Sequence, residues 1–142
     1  LMCHRLDFRK RISVDPRTLP LADLLLTKLQ IVETNPKDMT DMATILFDHA
    51  IGEQDGEAIN GAYIAGLTAN DWGLYRTIQI NLEAVRQHAL SLPQAGPFAI
   101  NEQVEALWAM IDEYPKSLKW KMRAQVGDRV KWYELPEEVR RS

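Results

Sequence analysis

Two spacings of apolar residues follow one another along this chain. Met2-Cys3-His4-Arg5-Leu6-Asp7-Phe8 alternates in character, and Arg11-Ile12-Ser13-Val14 follows in the same way. A period of two is that of a strand with one buried face, so residues 1–14 are expected to form short strands, a hairpin turning at Arg9-Lys10 and closed by Pro16. From residue 18 to residue 142 the pattern predicts a helical body. Thr18 and Pro20 announce a helix to about Glu33, with the proline in the first turn, where its missing N–H costs nothing. Asn35-Pro36 repeats the device, with Asp38 near the positive end of a helix expected to reach about Ile51. The polar stretch Gly52–Gly56 reads as a loop, and a short helix is expected from Gly61 to Gly66. Thr68, with Asp71 three residues on, reads as a variant capping box opening a long helix to about Leu90. The apolar face of that helix is Leu74, Tyr75, Ile78, Leu82, Val85 and Ala89. Pro93 to Pro97 is a linker. Asn101 starts a helix with the stripe Val104, Leu107, Trp108 and Ile111; Pro115 interrupts and restarts it, and Gly127 ends it after Val126. The tail segment Trp132-Tyr133-Glu134-Leu135 is apolar enough to pack back on the body.

These elements predict a mainly α fold of the α+β kind: one domain, with an N-terminal β-hairpin packed on a bundle of about five helices. At 142 residues the chain has room for one sizeable core. A composition of 46% hydrophobic and 26% charged residues argues against wholesale disorder. Two strands do not stand alone in water, so a chain opening inside a strand pattern suggests further sheet upstream, either cut away or missing from a partial gene. Those strands are also where a partner or a second copy could add.

Cys3 is the one cysteine, which excludes an internal disulfide and fits a reducing compartment. No apolar run approaches the roughly 20 residues that span a bilayer, and the basic N-terminus lacks the apolar core of a secretory signal. A cytoplasmic protein without a membrane partner is expected. The net charge of −3 hides an uneven distribution. From Asp48 to Tyr114 there are ten acids and two bases, whereas from Lys116 onward there are eight bases and four acids. Such asymmetry marks either a polyanion-binding end or simply solvated faces.

Candidate chemistry is sparse, and no complete catalytic constellation is present. Lys28 falls in the middle of an apparent apolar face made of Leu21, Leu24, Leu25, Ile31 and Val32. An ammonium there must pair, reach water, or meet an anion such as a phosphate in a cleft. Pairing would come from the next helix, through Asp38 or Asp41. Lys37, Asp38 and Asp41 occupy that helix's first turns, where two acids either hold a cation or merely stabilise the helix dipole. His4, His49 and His88 show no metal-ligand spacing. Gly52–Gly56 fits neither a phosphate loop nor a calcium loop. Lys116, Lys119, Trp120, Lys121 and Arg123 interleave bases with an aromatic, as in surfaces that grip a nucleic-acid backbone and stack a base. A helix turning Leu118, Met122 and Val126 inward, with the tryptophan under the tail, would read identically.

The segment Thr18–Gln30, followed by Lys37-Asp38-Met39-Thr40-Asp41-Met42, resembles nucleotidyltransferase-like proteins of the polymerase-β superfamily, most closely the group of AbiEii-type toxins. The resemblance covers about the first third of the chain. It implies that Lys28, with Lys37, contacts nucleotide phosphates and that Asp38 and Asp41 wall the cleft. It also implies that residues 2–14 are the last strands of a palm-like sheet. The Asp-x-Asp pair that holds the metal ions of such enzymes is absent from this chain. The resemblance thus implies the C-terminal helical part of a nucleotide-binding protein, inactive as it stands, with magnesium expected only if an upstream motif supplies the carboxylates. The alternative is a non-enzymatic helical module that binds protein or nucleic acid through the basic segment 116–131.

Overall fold

The computed structural model describes residues 19–94 and 96–133. The expected strands at 2–14, the turn at Pro16, Cys3, His4, and Glu134 and Leu135 lie outside the described residues. Within them the fold is mainly helical, with six α-helices and one two-stranded parallel pairing. The helices are α1 (Leu21–Leu29), α2 (Pro36–Asp48), α3 (Gly61–Thr68), α4 (Trp72–Ala89), α5 (Ile100–Glu113) and α6 (Leu118–Val126).

The long helix α4 is the axis of the bundle and packs on all five others. Its predicted face is the observed one: Leu74, Ile78, Leu82, Val85 and Ala89 are buried, and Tyr75 is half-buried at its edge. Against it lie Phe47 and Leu46 from α2 and Leu107 and Ile111 from α5, all fully inside.

Helix α1 turns a different face inward from the one its sequence suggested. Ala22, Leu25, Leu26 and Leu29 are buried, while Leu24 is exposed and Leu21 half-exposed. Leucines surround this helix almost completely, so the stripe is ambiguous. Lys28 therefore sits about 110° away from the buried face, at its margin.

The helix also ends early, at Leu29 rather than near Glu33. Buried Asn81 of α4 donates from Nδ2 to the carbonyls of Leu29 and Ile31, at 2.7 Å each, capturing the chain as it leaves the helix. Glu33 then takes a positive φ of 64°, which no helix accommodates, and turns the chain into α2.

The start of α2 follows expectation in full. Asn35 Oδ1 accepts from the Asp38 N–H at 2.8 Å, the Asn35 N–H donates to Asp38 Oδ2 at 3.2 Å, and Pro36 opens the helix. Its end differs. The helix stops at Asp48, His49 is extended, and Ile51–Gly52 (β1) pairs in parallel with Ile59–Asn60 (β2) where a helix end and loop were expected. Extending the chain here delivers Ile59 to the core, where it is fully buried against α1. Gln103 of α5 donates to the carbonyls of Leu46 and His49 and fixes this exit.

Thr68 does not cap α4. It is the last residue of α3, its hydroxyl turned back onto the Ala65 carbonyl at 3.0 Å, and Asp71 alone caps α4 by accepting from the Leu74 N–H. Helix α5 starts at Ile100 without a side-chain cap, drawn in by burial of Ile100 itself. Beyond Pro115, Ser117 accepts from the Trp120 N–H and opens α6 as a separate helix, which Gly127 terminates at φ +61°.

Candidate functional site

The structure brings the four residues singled out near the start of the body into one ion network. Lys28, in the last turn of α1, donates from Nζ to Asp38 Oδ1 at 3.0 Å and lies 3.4 Å from Asp41 Oδ2. Lys37 reaches the same oxygen of Asp41 at 2.9 Å along the exposed side of α2. Asp38 divides its carboxylate: Oδ2 closes the capping box and Oδ1 takes the lysine. The Lys28 side chain keeps 30% of its exposure, so it is neither sealed in the core nor free in solvent.

The hydrogen bond it donates to Asp38 raises the Lys28 pKa, with burial opposing and Asp41 adding. The bond from Lys37 lowers that of Asp41, again against burial, with Lys28 adding. The signs fix the pH windows. A depressed carboxylate contributes stability above its ordinary value of about 4 and loses it as pH falls through the folded value; a raised lysine contributes below about 10.5 and loses it as pH rises through its own. Asp41→Asn should therefore flatten the acid limb of a urea-midpoint profile while leaving the neutral plateau lowered by no more than about 1 kcal/mol.

The second constellation lies around α6. Lys116 is turned inward: its Nζ donates to the carbonyls of Ile111, Asp112 and Tyr114 at 2.6–2.8 Å and caps the end of α5. Burial lowers its pKa, against the pull of Asp112. Its ammonium also lies over the rings of Tyr75 and Trp120, at 5.7 and 5.5 Å. Trp120 meets Tyr75 edge-on at 5.0 Å, and Tyr75 in turn packs on Trp108 at 4.9 Å. The Tyr75 hydroxyl donates to Asp112; burial first, and that bond second, push its pKa up to about 12.

Arg123 lies over Trp72 at 4.6 Å and donates to the carbonyls of Gly127 and Val130. Trp132 returns to the body as expected: it sits edge-on to Trp72, its Nε1 donates to Thr77, and it passes close over Gly73, where a Cβ would lie 3.2 Å from it. Trp72, Trp120 and Trp132 together wall a cavity of about 270 Å³.

Of the five candidates on this segment, Lys116, Trp120 and Arg123 thus make contacts within the fold, whereas Lys119 and Lys121 are exposed. Leu118 and Met122 are 73% and 62% exposed, and α6 buries none of its residues. They face outward because the aromatic and arginine positions, Trp120 and Arg123, take the inner side.

No family model, curated protein or solved structure matches this chain.

Among the described residues no group of three or more His, Cys, Asp or Glu side chains is arranged to hold a metal ion. His49 and His88 meet the Glu57 carbonyl and the Thr40 hydroxyl respectively. No helix among the described residues is long and apolar enough to cross a membrane. The spacing of apolar residues gave no sign of Asn81 or Gln103, the buried amides that clamp the ends of α1 and α2. Their only signal was a polar residue set one helical turn from buried positions on an otherwise apolar face.

Proposed function

We propose that this chain is a non-enzymatic helical interaction module whose outward-facing α6 receives an acidic protein surface. The observation that carries this reading is the exposure of Leu118 and Met122, one turn apart, beside Lys119 and Lys121 on a helix none of whose residues is fully buried. A phosphate backbone calls for bases but has no use for a leucine and a methionine held in water; an acidic amphipathic helix uses both. The aromatic chemistry beneath, with Trp120 edge-on to Tyr75 and under Lys116, supports a scaffold role for these rings rather than base stacking.

The test is an NMR titration with a synthetic helix of glutamate and leucine. Shift changes should gather at residues 117–130, weaken with salt, and disappear in the Lys119→Glu, Lys121→Glu double variant. No change there, or changes produced only by a single-stranded oligonucleotide, would overturn the protein reading, the latter in favour of nucleic acid.

A second proposal, resting on the resemblance, is nucleotide contact at Lys28. It is supported by the meeting of Lys28, Lys37, Asp38 and Asp41 in one partly exposed network. A phosphate would have to displace the carboxylates from the Lys28 ammonium, so binding should strengthen in Asp41→Asn and vanish in Lys28→Ala. Isothermal titration with ATP decides it, and an absence of heat in both variants and the parent chain counts against it.

A further inference from the structure

Three tryptophans from distant parts of the chain meet around one cavity. Trp72 opens α4, Trp120 lies in α6 and Trp132 follows it, and the space they wall measures about 270 Å³. A cavity of roughly 150 Å³ holds a benzene ring, and larger drug-sized ligands occupy roughly 300–1,000 Å³. The space here thus suits one aromatic ring with a short substituent. Its walls are held by the fold itself. Tyr75 meets Trp120 edge-on, and Trp132 is edge-on to Trp72 while its Nε1 donates to Thr77. Walls already in place spare a ligand the cost of ordering them.

Clustered rings can serve a cation, as in the aromatic cages that hold methylated ammonium groups. The charges on the walls decide against that use. Arg123 already lies over the Trp72 ring at 4.6 Å, where such a cation would sit. Lys119 lines the cavity too, and among the described residues neither base is ion-paired with a carboxylate. Asp128, near enough to Arg123 to feel its charge, is engaged by Arg76 at 3.0 Å. The one acid on the walls, Asp71, is exposed and already occupied, since its Oδ1 accepts from the Leu74 N–H to cap α4. Two bases against one acid leave the charged lining net positive.

We infer that this cavity binds a small aromatic carboxylate, its ring among Trp72, Trp120 and Trp132 and its carboxylate at Lys119 and Arg123. The site uses the inner side of α6 and does not depend on what the outer face, with Leu118 and Met122, receives.

Titration of the full chain with phenylacetate, followed through the tryptophan indole N–H signals by NMR, tests it. The signals of Trp72, Trp120 and Trp132 should shift together and saturate, with a Kd of about a millimolar or below. The Trp120 Nε1–H is a clean reporter, being buried and without an acceptor among the described residues. Trp108, which does not line the cavity, should move least. Phenethylammonium, similar in size and opposite in charge, should bind at least about tenfold more weakly. Acetate, which lacks the ring, should do the same. Lys119→Gln should weaken phenylacetate binding by about threefold or more. Asp71→Asn keeps a capping side chain and removes the opposing charge, so it should strengthen binding by a similar factor. Both positions are exposed, so neither change threatens the fold. Shifts that do not saturate or are confined to Trp108 overturn the inference. So does equal binding of phenylacetate and phenethylammonium, or an affinity indifferent to both substitutions.

Discussion

Asn81→Ala should lower the folding free energy by about 3 kcal/mol, seen as a fall in the urea midpoint with an unchanged slope. The cost does not come from lost apolar contact, since the amide contributes little of it. It comes from two carbonyls, those of Leu29 and Ile31, which both accept from the Asn81 amide at 2.7 Å. Asn81 is 3% exposed, so little water can replace it at the helix end. Asn81→Asp makes the distinction sharp. It preserves the size and the acceptor Oδ1 but sets a carboxylate against two carbonyl oxygens, so its loss should equal or exceed that of the alanine variant. A smaller loss for aspartate would mean that shape rather than hydrogen bonding secures the end of α1.

The second large effect is expected at Gly96, in the linker between α4 and α5. A Cβ there would run into the backbone carbonyl of Phe47 and come within 2.8 Å of Asp48 Oδ1. Phe47 is 1% exposed and packed in the core, and its carbonyl also accepts from the Phe98 N–H at 3.2 Å. The obstacle is thus main chain that cannot rotate aside. Gly96→Ala should cost about 2–3 kcal/mol by forcing the linker away from the end of α2. Gly66 provides the contrast. It lies inside α3, its Cβ would meet only the Tyr114 hydroxyl at 3.6 Å, and Gly66→Ala should stabilise by about 0.5–1 kcal/mol through the helix preference of alanine. Thermal or urea unfolding of the two variants side by side should move the midpoint in opposite directions.

These two positions also show where sequence reading was effective and where it stopped. The face of α4 was legible because Leu74, Ile78, Leu82, Val85 and Ala89 keep the helical period against polar neighbours. The start of α2 was legible because an Asn-Pro pair with an acid in the first turn is local chemistry. The buried side of α1 was not, since leucines on nearly every side leave the period without a phase. Pairing of Ile51 with Ile59 escaped because a two-residue strand has no period at all; it exists to deliver one side chain to the core. The candidate site was legible in part. Proximity of Lys28 to Asp38 and Asp41 could be anticipated from adjacent helices joined by a short turn. The inward direction of Lys116 could not, because a lysine after Pro115 reads the same whether it caps a helix or reaches into solvent. The outward direction of Leu118 and Met122 was missed for the same reason: aromatic residues distant in sequence, Trp72 and Tyr75 of α4 and Trp132 beyond α6, decide which side of α6 is inside.

The way α6 is attached has a consequence for motion. Residues 117–133 are held by ring edges, cations over rings, the Arg76–Asp128 ion pair, a few side-chain bonds and one main-chain bond from Ser117 to the Ala69 carbonyl, and none of the residues of α6 is buried. The segment can therefore open as a unit while α1–α5 stay folded, at a free energy well below that of global unfolding. In such an opening Arg76 loses Asp128 and Tyr75 loses Trp120. The chain thus carries a small cooperative unit that opens and re-docks more often than the bundle itself unfolds.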